Sequence, residues 1–169
     1  MGLTNKQVYL EKNYNIWKKL FSIEKEKLIK IFTEDNYEIE HVGSTAIENL
    51  SAKPIVDIAI GISSFDNFKK YLNKLSKLYT IKENYDNNEI LLIKEKGNET
   101  FFLIHVIPLN CVRYKNMIAF RDILRSNSNI LKKYEILKIN LANKYSNNRQ
   151  MYTKSKNDFI NEILKNTNN

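Results

Sequence analysis

Cysteine is almost missing from this chain of 169 residues, with Cys111 standing alone. That excludes an intramolecular disulfide framework and a cysteine-ligated zinc finger. Four glycines and two prolines exclude a collagenous or loop-dominated protein. No apolar run approaches the roughly 18 residues that a membrane helix needs, and the mean hydropathy is −0.47. Polar and charged side chains interrupt the stretch from Met1 to Leu20 throughout, so no secretory leader is visible there. These absences lead us to expect a soluble, cytoplasmic protein. The length suits one domain, residues 1–169, with a core of ordinary size.

Positive charge is in excess. Lys and Arg outnumber Asp and Glu by 27 − 19 = +8, and the isoelectric point is near 9.4, a balance suited to a polyanionic partner. The excess is nearly all lysine, however, with arginine only at Arg113, Arg121, Arg125 and Arg149. Nucleic-acid readers lean on arginine for bidentate contacts. No strand here interleaves aromatic and basic residues as a single-strand-binding surface would. Most of the basic surplus is therefore expected to be solvated surface. The partner expected from the charge alone is a phosphate-bearing small ligand, not nucleic acid or membrane.

Apolar periodicity predicts a helix from Tyr14 to about Thr33, through Trp17, Leu20, Leu28 and Ile31. A short strand, Tyr37 to Val42, breaks at Gly43-Ser44-Thr45. Ile55 to Ile60 is a near-continuous apolar run, as in a strand buried on both faces. Ser63 or Ser64 can cap a helix lined by Phe65, Phe68, Leu72 and Leu75. After an Asn-rich turn (Asn84 to Asn88), strands Glu89–Lys94 and Thr100–Ile107 are joined by a hairpin turn around Gly97. The remainder reads as helices: Met117 to Arg125, a second striped by Ile130, Tyr134 and Leu141, and a third by Tyr152, Phe159 and Ile163. An α/β domain with a helical C-terminal cap is expected.

Chemistry concentrates around Gly43, Ser44 and Asp57. A strand ending in Gly-Ser can bring backbone N–H groups and a hydroxyl against a phosphate, because glycine permits close approach. Asp57 interrupts an apolar strand, and a buried carboxylate costs several kcal/mol unless cations or donors compensate it. Its structural reading is an acid satisfied by the Gly43–Thr45 backbone or by Lys53. Strand alternation puts Ile55, Asp57 and Ala59 on one face. Carboxylates at i and i+2 would hold two Mg²⁺ ions for in-line transfer, but the second position is Ala59, so that clamp is incomplete.

The blocks His41-Val42-Gly43-Ser44-Thr45-Ala46 and Lys53-Pro54-Ile55-Val56-Asp57-Ile58 resemble the GrpB family of the nucleotidyltransferase superfamily. So do Phe102-Leu103-Ile104-His105-Val106, Phe120-Arg121-Asp122-Ile123-Leu124-Arg125, Tyr134…Leu137-Lys138 and Tyr152-Thr153-Lys154-Ser155-Lys156…Phe159-Ile160. With Tyr14…Trp17, the likeness spans nearly the whole chain. It implies an α/β (α+β) fold, with a nucleotidyltransferase-like mixed sheet flanked by helices. It also implies a cleft at Gly43, Ser44 and Asp57, with His105 standing where a later-strand acid is expected.

On that basis Asp57 and His105 are the candidate catalytic residues and the candidate ligands for one Mg²⁺ or Mn²⁺ through mixed O/N ligation. The pair would equally suit metal-free binding of a phosphate or amine. His105 reads otherwise as a satisfied core imidazole, and His41 could face the same cleft or bond a loop carbonyl. Gly43, Ser44, Thr45, Lys53, Arg121, Arg125 and Lys156 are the candidate nucleotide-binding residues. Lys53 is held extended by Pro54. Arg121 and Arg125, four apart, could clamp a triphosphate or tie the helical cap to the sheet through Asp122. Tyr152 and Lys156 could offer an aromatic platform with an ammonium, or pack as core and surface. Cys111 has no activating context. The expected function is nucleotide or phosphorylated-ligand binding and, if the protein is a catalyst, metal-dependent nucleotidyl transfer to a small acceptor. The alternative is a non-catalytic ligand-binding or adaptor domain with a degenerate site.

Overall fold

A computed structural model describes residues 2–4, 7–32, 36–84 and 88–167. The chain runs β1 (Leu3–Thr4), α1 (Tyr14–Ile31), β2 (Tyr37–Val42), a 3₁₀ turn (Ser44–Ala46), β3 (Val56–Ile62), α2 (Phe65–Lys69) and α3 (Leu72–Leu75). It continues through β4 (Thr80–Asn84), β5 (Glu89–Lys96), β6 (Glu99–Pro108), α4 (Val112–Ser126), α5 (Ser128–Lys144), α6 (Arg149–Lys154) and α7 (Asn157–Thr167). Strands order as β2-β3-β6-β5-β4, with β1 added on β6. The central pair β3–β6 is parallel and the other pairs are antiparallel. This is the mixed sheet flanked by helices that the sequence leads one to expect.

Alternation along β3 divides the sheet's two faces. Val56, Ile58 and Ile60 are fully buried and join Phe102, Ile104 and Val106 of β6 under Trp17 and Leu28 of α1 and Phe68, Tyr71 and Leu75 of α2–α3. Each such side chain removed from water stabilises the fold by about 1.5–3 kcal/mol. Glu24 of α1 is also buried on this side, and Tyr79 and Lys94 satisfy it at 2.7 and 2.6 Å. On the opposite face Val42, Ala59 and Ile107 pack under Tyr114 of α4. Beyond them a smaller core, Ala46, Ile47, Leu50, Leu124 and Tyr134, binds the 3₁₀ turn to α4 and α5. Among the described residues no helix is long and apolar enough to cross a membrane.

Several boundaries move. Strand β4 is missing from the sequence reading because Thr-Ile-Lys-Glu-Asn has a single apolar residue among polar ones, and it needs only one partner at the sheet edge. Helix α4 begins at Val112, five residues before the expected Met117, because the Cys111 sulfur accepts the Tyr114 N–H at 3.4 Å and caps it. The last expected helix is two, α6 and α7, with the chain turning at Ser155 and Lys156 between them. Asn127 caps α5 through the N–H groups of Asn129 and Ile130. Ser64 occupies the cap position of α2 without a side-chain bond. The β5–β6 hairpin turns at Gly97, whose φ is 60°. The expected helix end at Thr33 and the middle of the Asn-rich turn lie outside the described residues.

Candidate functional site

The chain leaves β2 through Gly43, whose φ of 68° lies in the left-handed region. A Cβ there would stand 2.6 Å from Asp57 Oδ2. Only glycine lets the turn close over the Asp57 carboxylate. Ser44, next in the turn, stands beside the hydroxyl of the buried Tyr134. Strand register then sets the floor. Asp57 is paired with Leu103, and Ala59 with His105, so Asp57 and His105 are diagonal neighbours on one face.

These residues border a cleft of about 350 Å³. Ser44, Thr45, Lys53, Asp57, His105 and Lys156, all named from the sequence, line it. Lys138, Arg149 and Tyr152 line it as well. Asp57 is the one carboxylate among the described lining residues.

The cations are crowded. Lys53 Nζ and Lys156 Nζ both lie over the Tyr152 ring, 5.3 and 4.7 Å from its centroid. Lys138, buried on α5, donates to the Ser51 carbonyl and lies 5.4 Å from the Tyr134 ring. Burial, reinforced by Lys156 and Arg149, lowers the Lys53 ammonium to about 7. Burial and Lys156 bring Lys138 to about 7 as well. Burial lowers Lys156 to about 8, although Asp57 pulls the other way. An apolar wall and like charges both disfavour the protonated amine; an incoming anion would reverse that.

On the floor of the cleft His105 holds a proton. Burial alone would lower its imidazole, but the Asp57 and Glu89 carboxylates outweigh burial and raise it to about 9. Nδ1 is bonded to Glu89, and Nε2 lies 4.0 Å from Asp57 Oδ1. Burial opposes the charge of Glu89 too, yet His105 and Arg113 hold it below the usual carboxylate range.

Three expectations need correction. Arg121 and Arg125 do not line the cleft. Arg121 is spent on Glu40, on Asp122 and on the His41 carbonyl at 3.1 Å, and Arg125 donates to the Ala46 carbonyl at 2.9 Å. Helix α4 packs against β2 and points both guanidiniums at that edge, so they brace the Gly43 turn from behind. His41 faces away from Asp57: it stacks on Phe21 at 4.8 Å and bonds the Thr45 hydroxyl at 3.0 Å. Tyr152 offers no open platform for a base, since it is 1% exposed with two ammonium groups over its ring.

The Mg²⁺ or Mn²⁺ expected on Asp57 and His105 meets a poor donor set. Among the described residues no three His, Cys, Asp or Glu side chains gather for an ion. Ala59 is fully buried in the apolar cluster under Tyr114, so a second carboxylate has no place in the cleft. Hard divalent cations want several oxygen ligands, and the other charged groups lining this cleft are positive.

Three of the site's residues are given no role from the sequence, although Lys138 closes the block Tyr134…Leu137-Lys138. Glu89 opens an apolar strand, the same signal that singles out Asp57. Lys138 stands on the apolar stripe of α5, four residues after Tyr134. Arg149 carries no local signal.

Comparison with known structures places the architecture among the nucleotidyltransferase-like folds. A structure of Cid1 poly(U) polymerase with MgGTP bound superposes with a TM-score of 0.53 at 11% identity, over 79% of this chain and 44% of that one. The crystal structure of GrpB from Enterococcus faecalis superposes with a TM-score of 0.84 at 24% identity, over 94% of this chain and 96% of that one. The chain belongs to the GrpB family, whose profile matches residues 7–166. It is 35% identical to the glutamate-rich protein GrpB of Alkalihalophilus pseudofirmus, covering 97% of this chain and 98% of that protein. It is 30% identical to the UPF0157 protein YqkA of Bacillus subtilis, of whose length it spans 42%.

Proposed function

We propose that this protein binds a nucleotide or a similar phosphorylated small molecule between the Asp57–His105 floor and the cations of Lys53, Lys138, Arg149 and Lys156. The observation that carries this reading is the convergence of those four cations on one cleft beside the Gly43–Ser44 turn. Charge-assisted bonds to phosphate are about twice as strong as neutral ones, and partial burial raises their worth further. The fold shared with a GTP-bound polymerase adds support. Between transfer and binding alone, the lone carboxylate of the cleft favours binding, since two-metal transfer relies on ions held between shared acids.

A thermal-shift panel of nucleoside mono-, di- and triphosphates tests this. The best ligand at a hundred times its Kd should stabilise by about 2.7 kcal/mol, roughly 5–10 °C for a chain of this size. Lys156→Ala should remove most of that rise. No shift with any nucleotide, and no ligand-induced NMR change at cleft residues, would end the reading.

A further inference from the structure

Members of the nucleotidyltransferase-like fold can meet their nucleotide as a metal complex, as the MgGTP-bound polymerase does. The cleft described above is built for a different form of the ligand. Its walls supply three ammonium groups and a guanidinium against one carboxylate. The position that would carry the second acid is Ala59, packed against Val42, Ile107 and Tyr114. Its register partner is His105, whose other nitrogen is already committed to Glu89. A divalent ion here would find two side-chain donors and several repelling charges. A phosphate chain would find four cationic donors.

We propose that the cleft takes its phosphorylated ligand as the free anion, with Lys53, Lys138, Arg149 and Lys156 neutralising the phosphates where a divalent ion would otherwise do so. This rests on the phosphate-binding reading above and narrows its ligand to the metal-free form. Magnesium chelated to the phosphates then competes with the side-chain cations. Asp57 acts on His105 and on the balance of charge, and is not a metal ligand. Neutralising Asp57 removes a repelling charge from the ligand's path and should not weaken binding.

Isothermal titration of the full chain with ATP as the probe, once in EDTA and once in excess MgCl₂, separates the possibilities. Titration with MnCl₂ alone and with the Asp57→Asn protein completes the set. The expected results are ATP affinity in EDTA equal to or tighter than that in Mg²⁺, no saturable Mn²⁺ binding, and unchanged or tighter ATP binding by Asp57→Asn in EDTA. Affinity in EDTA weaker than in Mg²⁺ would overturn the inference and leave nucleotide binding standing. So would tight Mn²⁺ binding by the unliganded protein. If ATP binds in neither arm, both readings fall together. The wild-type arms decide the matter even if Asp57→Asn does not fold.

Discussion

His105 Nε2 stands 4.0 Å from Asp57 Oδ1, on the strand register that also places His105 directly opposite the buried Ala59. Glu89 holds the other imidazole nitrogen, and Arg113 holds Glu89 at 3.2 Å. The result is a chain of alternating charge running from the surface to the cleft floor. Asp57 therefore has a proton-bearing neighbour where a second carboxylate would make it half of a metal clamp. Four further consequences can be measured.

Ligand binding should take up protons. Lys53 and Lys138 titrate at about 7 and Lys156 at about 8 because burial and mutual repulsion oppose their charge. A bound polyanion restores the usual higher values, so the complex carries more protons than its parts. Affinity should fall as pH rises through 7 to 9. Calorimetry of ATP binding at pH 8 in buffers of different ionisation enthalpy should show uptake of about two protons; zero uptake or net release would contradict the site's electrostatics.

Ala59→Asp should damage the protein and create no metal site. The new carboxylate would be buried among Val42, Ile107 and Tyr114, costing roughly 3 kcal/mol for want of partners. Urea denaturation should show an earlier midpoint. A stable variant with new Mn²⁺ affinity would mean that this side chain reaches the cleft after all.

Gly43→Ala tests the turn. Its φ of 68° and a Cβ 2.6 Å from Asp57 Oδ2 force either the backbone or the carboxylate to move. A loss of about 1–3 kcal/mol in stability is expected, together with displaced Asp57 and His105 resonances. Intact stability with unperturbed spectra would show that the turn does not press on Asp57.

Acid should act through His41. Burial lowers its imidazole to about 4 from an ordinary 6.5. The unfolded chain then binds more protons than the folded one between those values, and stability falls as pH drops from 6.5 toward 4. The shift allows up to about 3 kcal/mol from this residue. Carboxylates such as Glu24, held low by Lys94 and Tyr79 against the effect of burial, fail in the same direction, so the comparison must be with His41→Gln. That variant should lose less stability than the wild type over the same pH interval. Identical acid limbs would show that His41 is not the sensor.

Much of the fold was legible because burial imposes a period on the residues themselves. The apolar run at Val56–Ile60 marks a strand covered on both faces, and the stripes through Trp17, Leu28, Tyr134 and Leu141 mark helices with one face inward. The pairing of the Gly43–Ser44 turn with Asp57 was legible for the same local reason. A glycine break and a charged residue inside an apolar strand each advertise a constraint that packing alone does not create. Strand β4 and the start of α4 were not legible, since a polar edge strand and a thiol cap leave no recurrent pattern.

The sequence by itself determined that there would be a sheet, what lies on each face of β3, and that Asp57 needs positive company. Which cations supply that company was decided only by the tertiary structure. The rotation of α4 against β2 sends Arg121 and Arg125 to Glu40 and to backbone carbonyls. Packing of α5 brings Lys138 to the Ser51 carbonyl across a separation of 87 residues. Strand register, not proximity in sequence, seats His105 on Glu89 and beside Asp57. A side chain's own neighbours fix its periodicity and whether it faces inward. The partner it meets there depends on contacts between distant segments, and those exist only once the whole chain has closed around its core.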